Sequence, residues 1–189
     1  MTRPFLLSGR CRLRVLLGWS VLWVLFGVNQ AQAQSQRRSG DFLAVAMPLA
    51  TLGAEWYRGD REGAWQYTLA LAAGTAGTEV LKHATGVERP DRTDRLSFPS
   101  GHAARAFSSA TYVHRRHGLD AAWPVYVAAL YVGHTRVAAN RHRWADVAGA
   151  AAVSAAATWW LVEPKAEPRV AIMPLFDRHY IGVQVAARW

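Results

Sequence analysis

A histidine and an aspartate four positions apart are the residues of this sequence best suited to chemistry. His142 and Asp146 stand near the start of a helix predicted over residues 141–162, where positions i and i+4 share one face. A carboxylate placed there can accept the proton of one imidazole nitrogen and leave the other nitrogen free as a nucleophile. Since this spacing is common in ordinary surface pairs, the pair needs neighbouring anion-binding groups to become a candidate dyad.

A second cluster, Pro99-Ser100-Gly101-His102, occupies a predicted junction between a loop and a helix. Unpaired N–H groups and the helix dipole favour an anion at such a junction, and Gly101 allows the backbone to approach it closely. Ser100 can donate a hydrogen bond, and His102 can protonate a leaving alkoxide as a general acid. Taken alone, the tetrapeptide indicates only a helix cap with Ser100 at the N-cap position.

Three cations accompany these clusters. Lys82 and Arg89 bracket the predicted end of the second helix, and Arg136 precedes His142 at the end of the fourth. A guanidinium can hold two phosphate oxygens at once. Three positive charges would match a phosphoryl group and the extra charge of its pentacoordinate transition state. Each cation alone is equally compatible with a solvated surface position.

The stretches between the clusters predict the elements that must position them. Apolar stretches alternate with short charged connections, which is typical of a mainly α protein, here a bundle of five to six helices. Alternating residues at the end of the chain predict a short C-terminal β-hairpin. The predicted helices cover residues 41–57 (with Asp41 as N-cap), 64–83, 101–117, 121–137 and 141–162, and the hairpin uses 170–175 and 180–189.

Residues 1–33 have the layout of a secretory signal peptide. Arginines at positions 3, 10, 12 and 14 precede an apolar run, and Ala31-Gln32-Ala33 offers a small-residue cleavage site before Gln34. An uncleaved N-terminal anchor is the alternative, and both predict export. The domain would then cover residues 34–189. Because Cys11 is the only cysteine, the mature domain has no thiol chemistry.

Charge and hydropathy exclude one class of protein and leave one question open. The net charge of +9 falls to about +5 without the four leader arginines, and the cations follow no nucleic-acid-reading module, so we expect no nucleic-acid partner. The apolar stretches are at the margin of the length needed to span a bilayer. Both membrane spans and the buried helices of a soluble bundle are compatible with them.

The segments 82–90, 99–102 and 136–146 together resemble the tripartite signature of the type 2 phosphatidic acid phosphatase (PAP2) superfamily, which includes acid phosphatases and vanadium haloperoxidases. Order and internal spacing agree in all three parts. One departure is Thr135, where the family usually has serine before the arginine; the hydroxyl is kept. The resemblance implies a PAP2-like helical bundle whose core motifs lie within residues 82–146.

The resemblance also implies a role for each matching residue. His142 attacks phosphorus, Asp146 orients it, and His102 protonates the leaving group. Water then hydrolyses the phosphohistidine, and the family uses no metal and no cofactor for this. The implied phosphate-binding residues are Lys82, Arg89, Ser100, Gly101 and Arg136.

The function implied is that of a phosphatase of phosphate monoesters, with lipid or lipid-linked phosphates such as phosphatidate, phosphatidylglycerol phosphate or polyprenyl pyrophosphate as substrates. It would act in the periplasm or at a membrane surface or bilayer, with its active site on the periplasmic side. A soluble periplasmic acid phosphatase with broad substrates, including small phosphate esters, is the main alternative. A vanadate-dependent haloperoxidase and a non-enzymatic exported protein are two more.

Two further charged groups have simpler interpretations. His114 and His117 have a spacing found in metal sites, but Arg115 and Arg116 between them favour a solvated helix end. The charged residues at 91, 92, 94 and 95 predict a rim at the mouth of a pocket.

Overall fold

Five helices and a two-stranded hairpin form the described chain. The computed structural model describes residues 34–165, 169–176 and 181–188, with side chains up to residue 165, so the predicted leader lies outside it. The helices are α1 (34–57), α2 (Arg61–Thr85), α3 (Gly101–His117), α4 (Leu119–Ala138) and α5 (Trp144–Leu161). Strands β1 (Arg169–Phe176) and β2 (Ile181–Arg188) pair antiparallel, with Arg169 opposite Arg188. The predicted mainly α fold is confirmed.

Helix α3 is the centre of the bundle, because it packs against α2, α4 and α5. Small residues on α3 allow these neighbours to approach closely, as expected where helix axes come near each other. The main core cluster joins α3 to α1, α4 and α5; its buried residues include Ala44, Met47, Ala103, Ala106, Phe107, Ala110, Ala129, Val132, Val147 and Ala150.

Helix α1 begins earlier than the sequence predicts. Residues 34–40 are already helical, so the prediction that Asp41 is an N-cap was wrong. Its carboxylate instead accepts a hydrogen bond from Arg136 of α4 at 2.6 Å. The carboxylate therefore forms an ion pair with a distant helix and does not cap its own. Sequence spacing alone cannot reveal such a long-range contact.

Helix α5 begins later than predicted, at Trp144 rather than near residue 141. His142 therefore precedes the helix, and the expectation that His142 and Asp146 share one helix face was wrong in its geometry. Asp146 occupies the third helical position, where its carboxylate accepts the N–H of Arg143 at 2.9 Å. This capping interaction fixes the helix start and still turns the carboxylate towards His142.

The end of the bundle near the α1–α2 connection holds a buried ion-pair network. Arg116 of α3 donates to both carboxylate oxygens of Asp60, at 2.8 and 3.0 Å. His117 contacts the fully buried Glu55 at 2.7 Å. The interpretation of this segment as a solvated helix end was therefore wrong for Arg116 and His117, because acids from the α1–α2 region lie against them.

Membrane-spanning potential was searched for in the described residues. Among them, no helix combines the length and the hydropathy that a crossing requires.

Candidate active site

The three sequence clusters converge on one cavity of about 360 Å³. Helices α1 to α4 and the segment before α5 all contribute to its wall. Six of the lining side chains are cations and two are carboxylates, so the cavity favours an anion. The lining residues are Arg37, Asp41, Thr75, Thr78, Glu79, Lys82, Arg89, Gly101, His102, Ala104, Arg105, Arg136, Arg141 and His142.

His142 lies at this wall with its imidazole almost fully buried. Nδ1 is 3.4 Å from Oδ2 of Asp146, and Nε2 is 3.2 Å from Nη1 of Arg89. A guanidinium can only donate, so Nε2 must be the acceptor and the ring proton belongs on Nδ1, towards Asp146. The arrangement therefore presents an imidazole lone pair on the side of the cavity cations.

Asp146 is held behind His142 by groups from two other segments. Its Oδ2 atom accepts the hydroxyl of Ser97 at 2.5 Å, in addition to the N–H of Arg143. Its backbone carbonyl accepts the N–H of Ser100 at 3.1 Å. Asp146 therefore ties the polar loop, the start of α3 and the start of α5 together, which fixes the carboxylate relative to the imidazole.

Two loop aspartates orient two cavity arginines. Asp94 accepts Nε of Arg89 at 2.7 Å, and Asp91 accepts Nη1 of Arg141 at 2.8 Å. The N–H of Leu96 first, and then Arg89, hold the pKa of Asp94 below its ordinary value. The charged residues that the sequence predicts as a rim therefore also hold two arginines of the cavity in position through ion pairs.

The N-terminal end of helix α3 lies at the cavity. Ser100 is the N-cap by position, but its hydroxyl makes no capping bond, and in the described part of the chain this buried hydroxyl has no hydrogen-bond partner. Gly101 lines the cavity, and a Cβ there would lie only 3.1 Å from Nζ of Lys82. A glycine at this position lets the ammonium approach the helix end.

His102 and Arg136 meet on the α1 side of the cavity. Nε2 of His102 is 3.0 Å from Oδ1 of Asp41, which also accepts Nη1 of Arg136 at 2.6 Å. Nη2 of Arg136 donates to the carbonyl of Arg37 at 2.8 Å. Helix α1 therefore orients two residues that the sequence predicts to act on the anion.

Burial and neighbouring cations disfavour the protonated form of both imidazoles. Burial first, and then Arg136 and Arg105, lower the pKa of His102 from 6.5 to about 4. Burial first, and then Arg89, lower the pKa of His142. A bound dianion would oppose these effects, because added negative charge stabilises a protonated imidazole.

All eight predicted site residues lie at or beside this cavity. Lys82, Arg89, Gly101, His102, Arg136 and His142 line it, while Ser100 and Asp146 lie behind the lining. Sequence reasoning missed five charged lining residues: Arg37, Asp41, Glu79, Arg105 and Arg141. Arg105 follows His102 by three positions on one helix, so its place could have been found from spacing, whereas Asp41 precedes His102 by 61 residues and gave no signal.

Comparison with known proteins identifies the family. The family model described as PAP2 superfamily matches residues 63–165, more than half of the chain, and the protein therefore belongs to this superfamily. The predicted family is confirmed. Solved structures include a crystal structure of Aquifex aeolicus LpxE, which aligns with a TM-score of 0.59 at 20% identity over 69% of this chain and 84% of that one. This likeness supports the PAP2-like fold.

Two curated relatives are phosphatases. Lipid A 1-phosphatase of Porphyromonas gingivalis is 41% identical over 75 residues, covering 38% of this chain and 17% of the relative. Lipid A 4'-phosphatase of Helicobacter pylori is 32% identical over 108 residues, covering 53% of this chain and 54% of the relative. The matched part thus spans about half or less of these relatives. The matches agree with the predicted enzyme class.

Proposed function

We propose that this protein is a phosphatase that transfers the phosphoryl group of a monoester to Nε2 of His142 and then to water. The observation that carries the proposal is the acceptor nitrogen of a buried imidazole, held by Asp146, beside a cavity lined by six cations. Nucleophile, orienting carboxylate and anion-binding groups are the parts that such a transfer needs.

In the first step a bond forms between Nε2 of His142 and phosphorus while the bond to the leaving oxygen breaks. His102 supplies a proton to that oxygen, and Asp146 stabilises the charge that develops on the attacking imidazole. In the second step water attacks phosphorus, His102 takes up a proton from the water, and free His142 and inorganic phosphate are formed.

The cations provide the stabilisation of charge in this reaction. Lys82, Arg89 and Arg136 line the cavity together with Gly101 at the start of α3, and the hydroxyl of Ser100 lies behind this lining. Fixed donors of this kind act where negative charge builds up on the equatorial oxygens. The proposed mechanism therefore uses no metal, and we expect the rate to be the same with and without EDTA.

A phosphorylated lipid is the proposed substrate class. Two relatives are named as lipid A phosphatases, so a phosphorylated glycolipid is added to the glycerophospholipids and polyprenyl pyrophosphate expected from the sequence. Helices α1 and α4 expose large apolar side chains on stripes at helical spacing, among them Phe42, Val45 and Leu49, and Trp123, Val127 and Leu130. Such exposed stripes favour a substrate that carries acyl chains.

The experiment that tests the proposal compares phosphate release from lipid and small substrates. Phosphorylated glycolipid, phosphatidate and polyprenyl pyrophosphate in mixed micelles are measured against p-nitrophenyl phosphate, with a His142→Ala variant as control. A higher kcat/KM for one of the lipids is expected. A strong preference for the aryl ester would replace the lipid assignment by a broad acid phosphatase, and full activity of the His142→Ala variant would remove the proposed nucleophile.

Export and a periplasmic or membrane-associated site remain part of the proposal, supported by the leader-like residues 1–33. Fractionation of cells expressing the full chain, followed by N-terminal sequencing, tests it. We expect activity outside the cytoplasm and a new terminus at Gln34. Activity confined to the cytoplasmic fraction would contradict it.

A further inference from the structure

One carboxylate in the cavity belongs to none of the sequence motifs. Asp41 of α1 places a single oxygen, Oδ1, 3.0 Å from Nε2 of His102 and 2.6 Å from Nη1 of Arg136. Both partners are residues of the proposed reaction, yet Asp41 lies before the matched family segment, which begins at residue 63. A carboxylate in a cavity that binds anions requires an explanation, since it would repel the substrate.

The packing of α1 holds Asp41 in this place. Gly40 is buried, and a Cβ there would overlap Oγ1 of Thr135 and Nη2 of Arg136. The neighbouring hydroxyl of Ser39 is 2.9 Å from that of Tyr131 on α4. Close approach of the two backbones therefore brings the carboxylate to its partners.

The contact leaves Arg136 able to bind phosphate. Nη1 donates to Asp41, Nη2 to the carbonyl of Arg37, and Nε to Oγ1 of Thr135 at 3.2 Å. A guanidinium has five N–H groups, so one on each terminal nitrogen remains for substrate oxygens. Asp41 thus orients the guanidinium of Arg136 and still leaves N–H groups that can donate to a substrate.

The contact also selects the working nitrogen of His102. Nε2 is the ring nitrogen within ion-pair distance of Asp41, at 3.0 Å, and among the described residues Nδ1 has no such contact with a carboxylate. On the other side of the cavity, His142 has a similar arrangement: Nδ1 is hydrogen-bonded to Asp146, and Nε2 is the nitrogen not bonded to that carboxylate. A carboxylate on one imidazole nitrogen stabilises the protonated ring and fixes its orientation.

We propose that Asp41 is a positioning residue: it holds the protonated imidazole of His102 through Nε2, so that Nδ1–H faces the leaving oxygen. This inference rests on the proposed function. As the bond between phosphorus and the leaving oxygen breaks, the proton on Nδ1 moves to that oxygen, and the ring becomes neutral with its remaining proton on Nε2, towards Asp41. In the hydrolysis step Nδ1 takes a proton back from water.

The charges around His102 agree with this role. Burial first, and then Arg136 from α4, Arg105 from α3 and His142 from the segment before α5, lower the pKa of His102, and Asp41 from α1 is the neighbouring group that raises it. Without the carboxylate, the ring would face cations from several sides. It would then be protonated in a smaller fraction of the molecules that bind substrate.

The test is the dependence of the rate on the leaving group in an Asp41→Asn variant. A lipid or alkyl phosphate has a poor leaving group that needs the proton, whereas p-nitrophenolate leaves without one. We expect kcat for the alkyl ester to fall by about 10²-fold or more, the usual contribution of a general acid, with a much smaller fall for the aryl ester and little change in KM. We also expect the pKa of His102, followed by NMR of labelled histidine, to be lower in the variant than in the wild type.

The matched control is Asp120→Asn, which removes an exposed carboxylate from the first turn of α4; its rates should equal those of the wild type. Asp41 is half exposed, so the variant should fold, and Asp41→Ser provides a second uncharged replacement. Equal losses for both esters would overturn the proposal, as would a variant that binds phosphate more tightly with unchanged kcat, since Asp41 would then be a competitor of the substrate. If the wild type cleaves neither ester, the proposed function itself fails.

Discussion

Nη1 of Arg89 approaches Nε2 of His142 to 3.2 Å, and this contact determines which nitrogen of the imidazole carries the proton. An arginine cannot accept a hydrogen bond, so the ring proton lies on Nδ1, which donates to Oδ2 of Asp146 at 3.4 Å. The cation therefore favours the tautomer in which Nε2 of His142 carries the lone pair, as the proposed nucleophilic role requires. Its own position is set by Asp94.

Replacing His142 by glutamine should abolish the covalent intermediate. With a substrate carrying radiolabelled phosphate, we expect the wild type to retain label after quenching in base, in which phosphohistidine is stable, and the variant to retain none. His134→Gln is the matched control, because this histidine is exposed and its nearest aromatic partner is Trp144. Label retained by the His142 variant would place the nucleophile elsewhere.

Replacing Asp146 by asparagine should reduce kcat by about 10²-fold or more, since an amide can no longer accept and stabilise the proton on Nδ1 and instead favours the other tautomer. Steady-state kinetics with both ester classes measure this. Unlike the Asp41 variant, the Asp146 variant should lose activity on alkyl and aryl esters alike. Normal activity on the aryl ester would contradict an orienting role.

Removing the hydroxyl of Ser97 should destabilise the site through Asp146. Ser97 donates to the buried carboxylate at 2.5 Å, and leaving such an acceptor short of a partner costs about 1–3 kcal/mol. Urea unfolding of Ser97→Ala measures the free energy of unfolding, with Thr68→Ala, whose hydroxyl bonds only an exposed backbone carbonyl, as control. Equal midpoints for the two variants would count against the contact.

The stability of the free protein should fall as the pH drops from about 6.5 towards 4. The pKa of His102 is lowered from 6.5 to about 4 and that of His142 is also lowered, so the unfolded chain binds these protons more readily than the folded one. Protons then favour unfolding in this window. Asp60, Asp91 and Asp94 have lowered pKa values that start from 3.8 and act at more acidic pH.

Melting temperatures across this range test the effect. A His102→Gln variant should show a flatter pH profile than the wild type, and added phosphate should oppose the loss because a bound anion stabilises the protonated rings. A profile that is unchanged in the variant would show that His102 does not contribute.

Breaking the ion pair between Arg116 and Asp60 should cost about 3–5 kcal/mol, because it leaves a buried carboxylate without its main partner. Arg116→Met tests this by thermal unfolding, with the exposed Arg61→Met as control. Arg116 lies 14 residues beyond His102 on α3, about 21 Å along the helix axis. The folded variant should therefore keep its kcat, and a large loss of kcat at low temperature would contradict this separation of stability from chemistry.

Sequence reasoning located the three motifs because each is local. Helix α3 was predicted at its observed bounds, since Pro99 and Gly101 mark its start; in the structure Gly118 is its C-cap. The start of α5 was misplaced by about three residues, because the side chain of Asp146 caps the helix from inside while Arg143, the residue before the helix, stays extended. Periodicity reports the apolar face of a helix and does not reveal which polar group ends it.

Long-range partners could not be predicted in the same way. Asp41, Ser97 and Asp94 contact site residues across gaps in sequence, and each was either given a local role or passed over. Asp41 had an obvious local use as a cap, and only the approach of α1 to α4 at Gly40 turns it towards His102. Such contacts depend on how the helices pack against one another. The pattern of apolar and polar residues along the sequence does not determine that packing.

The position of α1 has a consequence for how this cavity can differ between relatives. The proposed nucleophile, its proposed orienting acid and most of the cavity cations belong to the segment that matches the family, whereas the wall formed by Arg37 and Asp41 comes from a helix upstream of it. Two relatives with the same motifs can therefore differ in the surface that meets the departing alcohol. Grafting α1 from one relative onto another should exchange their preferences for that alcohol while the phosphoryl chemistry stays the same.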